Sequence, residues 1–132
     1  MAVPVYERTD AHVVTNVEQD IEVTPMEGIE KKAWYLLNDG ASPVNYKLYV
    51  SPTGITTNDL NAVTGRNFTS SEVEKEWAEI DAGTLTAGAK LTINLDLITA
   101  NYIKVTAYVP GGYGYGPGVS ELKAWFMKGR HA

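Results

Sequence analysis

The stretch AWYLLNDGASPVNYKLYV, residues 33–50, decides the fold class. Two apolar runs rich in aromatic residues flank a cluster of turn formers, Asn38-Asp39-Gly40-Ala41-Ser42-Pro43. In the second run, apolar side chains occupy every other position, which is the period of a half-buried strand. These apolar residues are Val44, Tyr46, Leu48 and Val50. The pattern predicts a β-hairpin with a loop of about five residues.

The same alternation recurs further along the chain. It runs through Leu91, Ile93, Leu95 and Leu97, then through Ile103, Val105, Ala107 and Val109. In the last strand, the alternation predicts that Leu122, Ala124 and Phe126 face the core. Lys123, Trp125 and Met127 are predicted to face away. The pattern predicts a set of outward aromatic residues: Tyr49, Tyr102, Tyr108 and Trp125. A register shifted by one residue would instead turn these side chains inward. Glycine- or proline-bearing turns separate about six to eight such strands, so we expect an all-β fold. An antiparallel β-sandwich, jelly-roll-like, is favoured over a small barrel.

Two segments have a less regular pattern. Residues 1–31 are charged and weakly patterned, and are interpreted either as an extended N-terminal arm or as an edge strand with a loop. Residues 32–130 form the predicted sandwich domain. Residues 71–77 are interpreted as a short helical turn capped by Ser70 or Ser71, leading into a strand at 77–82. The alternative is a strand in which Val73, Lys75 and Trp77 alternate with glutamates.

Composition excludes several classes of protein. The chain has 132 residues, which fits one domain, and no cysteine, which rules out disulfides and thiolate metal sites. Its net charge of -5 disfavours binding to nucleic acid through a basic surface and to anionic membranes. No apolar run approaches the length of about 20 residues that a membrane span requires.

No catalytic, cofactor or metal site is predicted. The two histidines are His12 and His131, and Asp10 with His12 is too small a set for a structural metal site. A run of glutamates over residues 72–79 fits a solvated strand face or loop better than a paired-carboxylate active site. No nucleophile elbow is present. We therefore expect a protein that is not an enzyme.

The predicted protein contacts lie in three places. The loop Pro110–Gly118 alternates glycine with Tyr113, Tyr115 and Pro117, and tyrosine offers a large contact area at small entropic cost. Trp125 lies on the outward face of the last strand. Val3 and Tyr6 belong to the N-terminal segment.

The order of these motifs is similar to a known group of proteins. The Leu-Leu-Asn strand, the Asp-Gly-x-x-Pro turn and Val-Asn-Tyr-Lys-Leu-Tyr-Val are followed by Gly83–Leu91, Tyr102–Ala107 and the terminal Leu-Lys-Ala-Trp-Phe strand. Across about residues 33–128, the chain resembles small β-sandwich proteins of tailed bacteriophages. Capsid decoration (cement) proteins and some tail components belong to this group.

The resemblance implies a non-enzymatic structural protein that binds the outside of the capsid and stabilises capsomer contacts. The implied partners are the major capsid protein or another virion protein, with a homotrimer as the assembly. The implied location is the capsid exterior, with the host cytoplasm during assembly. The alternative is a tail-associated carbohydrate- or receptor-binding module that uses Trp125, Tyr113 or Tyr115 as a platform.

Overall fold

A computed structural model of the chain describes residues 2–8, 12–29, 31–110 and 120–131, with backbone alone for residues 2–8, 22 and 128–131. The strands in chain order are β1 (Ala2–Arg8), β2 (His12–Val14), β3 (Gln19–Pro25), β4 (Lys31–Asn38), β5 (Val44–Ser51), β6 (Leu60–Asn61), β7 (Arg66–Asn67), β8 (Ala78–Leu85), β9 (Lys90–Asn94), β10 (Tyr102–Tyr108) and β11 (Ser120–His131). A single turn of helix, α1 (Ser70–Glu74), lies between β7 and β8.

Two antiparallel sheets form the body of the protein. The five-stranded sheet has the order β1-β11-β4-β9, with β2 also paired to β11, and the four-stranded sheet has the order β3-β10-β5-β8. From β2 to β5, and again from β8 to β11, each strand lies in the opposite sheet to the one before it. This is the strand order of a jelly roll, so the prediction of an all-β, jelly-roll-like sandwich is confirmed.

The predicted hairpin of residues 33–50 is wrong. β4 pairs with β11 and β9, whereas β5 pairs with β10 and β8, so the turn between them crosses from one sheet to the other. The alternating residues of both strands nevertheless point inward, because the two strands bury their apolar faces against each other from opposite layers. Alternation thus indicates which face of a strand is buried, but it does not indicate which strand is the pairing partner.

The buried core lies between the sheets and is built from alternating positions. Trp34 and Phe126 pack edge to face with ring centroids 5.5 Å apart. The residues predicted to face inward on β5, β10 and β11 are buried, except Val50, which is partly buried. Of the predicted run Leu91–Leu97, the strand ends at Asn94 and Leu97 is 94% exposed, so that last position is a correction.

Each of the two sheets has two edge strands. β1 and β3 lie at the ends of their sheets on one side, and β8 and β9 lie at the other ends. Pro4 in β1 and Pro25 at the end of β3 therefore occupy edge strands, where a missing N–H costs no central hydrogen bond. Within the described residues, no helix has the length and apolar composition needed to cross a membrane.

Candidate binding surfaces

The residues predicted from the sequence to make protein contacts are described by the structure only in part. Tyr113, Tyr115 and Pro117 lie outside the described residues. Val3 and Tyr6 belong to β1, where they are paired with Arg130 and Met127 of β11. Only Trp125 has a described side chain, and it lies on the outer face of the five-stranded sheet, as predicted.

Trp125 is part of an apolar area that we call the aromatic face. Its ring lies 5.2 Å from that of Tyr35, centroid to centroid, at an interplanar angle of 59°. The two residues are direct partners across β4 and β11, and Ala33 pairs in the same way with Met127. All of these side chains, together with that of Leu37, are partly exposed. The strand alternation thus places a contiguous aromatic and aliphatic surface on the side of the sheet opposite the core.

One end of the aromatic face is bordered by charge. Lys123, opposite Leu37 in the register, forms an ion pair with Asp39 at 3.0 Å. Asp39 follows the end of β4, and its backbone N–H donates to the carbonyl of Glu121 at 2.9 Å. An apolar centre with a charged border is the usual anatomy of a protein-binding patch.

A second candidate surface is a cleft on the outer side of the four-stranded sheet, which we call the outer cleft. Its volume is about 500 Å³. It is lined by Glu18, Asp20, Tyr49, Thr57, Ser70, Val73, Glu74, Trp77, Lys104 and Thr106. The strand residues form its floor, and the connection between β5 and β8 forms its wall.

The wall is held in place by local hydrogen bonds. Thr69 caps α1, with its Oγ1 accepting the backbone N–H of Glu72 at 3.3 Å. The Glu72 carboxylate in return accepts the backbone N–H of Thr69 at 3.0 Å, which completes a capping box. The Glu72 carboxylate accepts hydrogen bonds from the backbone N–H of Thr69, from its Oγ1 at 2.9 Å and from Arg66 at 3.1 Å, and these three bonds lower the pKa of Glu72 to about 2. The predicted short helical turn is confirmed, but its cap is Thr69, one residue before the predicted serines.

Trp77 joins the wall to the floor. Its Nε1 donates to the carbonyl of Ile55 at 2.7 Å, and both Trp77 and Val73 are more than nine-tenths buried. The ammonium of Lys104, on β10, lies 4.5 Å from the centre of the Trp77 ring and 5.3 Å from that of Tyr49. A cation held over two aromatic rings stabilises this contact between wall and floor.

The charges on the floor are partly compensated. Lys104 forms an ion pair with Asp20 at 3.6 Å, and Thr106 donates to Glu18 at 2.8 Å. Lys47, on the neighbouring strand, lies 3.9 Å from Glu18. The Glu18 carboxylate is the main cause of the raised pKa of Lys47, while burial is the main cause of the raised pKa of Tyr49. Tyr49 therefore remains a neutral phenol at physiological pH.

Several polar groups of the wall have no partner. Within the described residues, the carboxylate of Glu74 and the hydroxyls of Thr57 and Ser70 make no hydrogen bond or ion pair. They line the same cleft as the Lys104 cation and the two rings. Among the described residues, no group of three or more histidine or acidic side chains is placed to hold a metal ion.

The outer cleft is not visible in the sequence, since its residues come from four separate segments. Glu18, Tyr49, Trp77 and Lys104 are at least 27 positions apart in the chain. A partial signal exists, because Tyr49 is an outward aromatic of a predicted strand and Lys104 and Thr106 are the polar positions of another. What the alternation does not reveal is that residues 52–77 fold back over this side of the sheet.

Comparisons with known proteins add little. No family model matches the sequence, and the search of curated proteins finds no match. Among solved structures, one similar chain belongs to work described as "Bacillus endospore appendages form a novel family of disulfide-linked pili". The two chains are 11% identical, the TM-score is 0.46, and the alignment covers 97% of this chain and 89% of that one. A likeness at this level carries no argument about function.

Proposed function

We propose that this protein is a non-enzymatic structural component of a phage particle, which binds the outside of the capsid and stabilises contacts between capsomers. The observation that carries the proposal is the aromatic face. Tyr35 and Trp125 are in ring contact there, with Leu37 and Met127 beside them. The outer side of a sandwich sheet is ordinarily polar, whereas contiguous partly exposed aromatic and aliphatic side chains are typical of protein-binding surfaces.

The fold and the charge are compatible with this role. Jelly rolls occur among viral capsid domains, although a fold by itself does not imply a function. A net charge of -5 favours a position on the outer surface of the shell over one facing packaged DNA. The chain would reach that surface from the host cytoplasm during assembly.

The proposed partner is the major capsid protein or another virion protein, and the proposed assembly is a homotrimer. Three copies present three docking surfaces together, so modest individual contacts give strong attachment. Sedimentation velocity tests the assembly, since a trimer has three times the chain mass of 14.4 kDa.

Attachment is tested by co-sedimentation with capsids. Purified protein is mixed with expanded, DNA-free shells of the major capsid protein encoded nearest to this gene, and bound protein is measured after a sucrose gradient. We expect the wild type to sediment with the shells and Tyr35→Ala to remain at the top. Tyr108→Ala is the matched control, because Tyr108 is also partly exposed but belongs to the other sheet.

A second variant separates loss of contact from loss of folding. Leu37→Lys places a charge on the aromatic face without removing the Tyr35–Trp125 contact, and melting curves establish that each variant is folded. A wild-type protein that ignores expanded shells contradicts the proposal. Equal binding by folded Tyr35→Ala, Leu37→Lys and Tyr108→Ala contradicts the assignment of the face.

A further inference from the structure

We propose that the outer cleft binds a short, uncharged saccharide. The inference goes beyond capsid attachment and does not depend on it, because the cleft and the aromatic face lie on the outer sides of different sheets. Three properties of the cleft carry the inference: its charges, its unpartnered polar groups and its size.

The charges disfavour ionic ligands. The ammonium of Lys104 already occupies the position over the rings of Trp77 and Tyr49 in which a cationic ligand would stack, and it repels a second cation there. The carboxylates of Glu18, Asp20 and Glu74 line the same space and repel an anion. A ligand that forms many hydrogen bonds without a net charge avoids both repulsions.

The unpartnered groups match the chemistry of sugar hydroxyls. The Glu74 carboxylate offers two acceptor oxygens, and a carboxylate accepts hydroxyl hydrogen bonds that are shorter and stronger than those between neutral groups. The hydroxyls of Thr57 and Ser70 both donate and accept. Across the cleft, the partly exposed ring of Tyr49 provides apolar surface for the C–H groups of a pyranose ring.

The dimensions fit a small ligand. The volume of about 500 Å³ lies within the range of about 300–1,000 Å³ that is usual for small-molecule sites. The floor is preformed, since Lys104 and Thr106 are buried and tied to Asp20 and Glu18. Binding therefore requires little rearrangement of the sheet.

The test is an NMR titration of the full chain labelled with ¹⁵N. The probes are glucose, galactose, mannose and N-acetylglucosamine, with the short neutral oligomers of each. We expect at least one to shift the indole N–H signal of Trp77 and the amide signals of Tyr49 and Lys104. The Trp125 indole signal serves as the internal reference, because it belongs to the other sheet.

Glu74→Gln is the decisive variant. Glu74 is exposed and has no partner within the described residues, so its amide analogue keeps the fold and loses a charged acceptor. We expect the affinity to fall about tenfold, the usual effect of losing a hydrogen bond to a charged group. Glu27→Gln, at an exposed position in the turn after β3, is the matched control and leaves affinity unchanged.

Three results overturn the inference. The first is the absence of any shift with every probe at about 10 mM, a concentration that would detect even weak sites. The second is a set of shifts that maps to Trp125 instead of the cleft. The third is an affinity that neither Glu74→Gln nor a second folded variant, Thr57→Val, lowers relative to Glu27→Gln.

Discussion

The side chain of Asn38 connects the two sheets at the corner between β4 and β5, and its removal has a calculable cost. Asn38 is fully buried, at 0% exposure. Its Nδ2 donates to the carbonyls of Ser42 and Leu85 at 2.8 and 2.9 Å. Its Oδ1 accepts the backbone N–H of Gly40 at 3.1 Å and the hydroxyl of Ser120 at 2.7 Å. One amide thus links the corner to the last residue of β8 and the first residue of β11.

We expect Asn38→Ala to destabilise the protein by about 3–5 kcal/mol. Each of the four hydrogen bonds contributes about 1 kcal/mol net, and any partner left dry and unpaired adds to the loss. A water molecule that enters the vacated space recovers part of it. Since a domain of this kind is stable by about 5–15 kcal/mol in total, the substitution removes a large part of the free energy of unfolding.

Urea denaturation followed by tryptophan fluorescence measures the loss, with Ser120→Ala as the graded comparison. Ser120→Ala removes one of the four bonds and should cost about 1 kcal/mol. Because Asn38 and Ser120 are in direct contact, the double variant should cost less than the sum of the two single variants by at least about 0.5 kcal/mol. Equal losses for Asn38→Ala and Ser120→Ala, or strict additivity, would refute the view that this amide holds the corner.

Two further predictions test local geometry. Gly54→Ala should cost about 2–3 kcal/mol in urea denaturation, because Gly54 has φ of +68° and a Cβ there would lie 2.6 Å from the Tyr102 ring. Gly28→Ala, with φ of +77° and no atom within 4 Å, should cost only the backbone strain of about 1 kcal/mol, and an equal loss in both would contradict the steric argument. The carboxyl signal of Glu72 should titrate near pH 2, because its pKa is lowered from 4.5. Since folding lowers that pKa, the carboxylate contributes to stability above pH 4.5, and the contribution is lost as the pH falls toward 2. The free energies of unfolding of the wild type and of Glu72→Gln should therefore converge in acid. In Thr69→Val the midpoint of the Glu72 titration should rise only part of the way toward 4.5, because the backbone N–H of residue 69 still donates to the carboxylate. A wild-type midpoint near 4.5 would contradict the capping geometry.

The inward and outward faces of the strands could be predicted from the sequence, and their partners could not. Leu48 and Val105 are buried as the alternation indicates, because each apolar position on a half-buried strand has one face available to it. The turn at Asn38–Pro43, however, was predicted to close a hairpin and instead crosses between sheets. The same turn formers fit both connections. What distinguishes them is the set of partners of the Asn38 side chain, and Leu85 and Ser120 are 47 and 82 residues away in the chain.

The aromatic face and the outer cleft differ in how far the sequence anticipates them, and the reason is physical. The aromatic face is a property of one sheet, so the outward position of Trp125 follows from the period of β11 alone, and only its neighbour Tyr35 requires the pairing. The outer cleft is a property of a connection packed onto a sheet. Its wall is positioned by Trp77, whose ring contacts Lys104 and whose Nε1 is bonded to Ile55. Because the core cluster between the sheets contains no residue of that connection, the proposed ligand site and the proposed attachment surface lie on separate parts of the molecule.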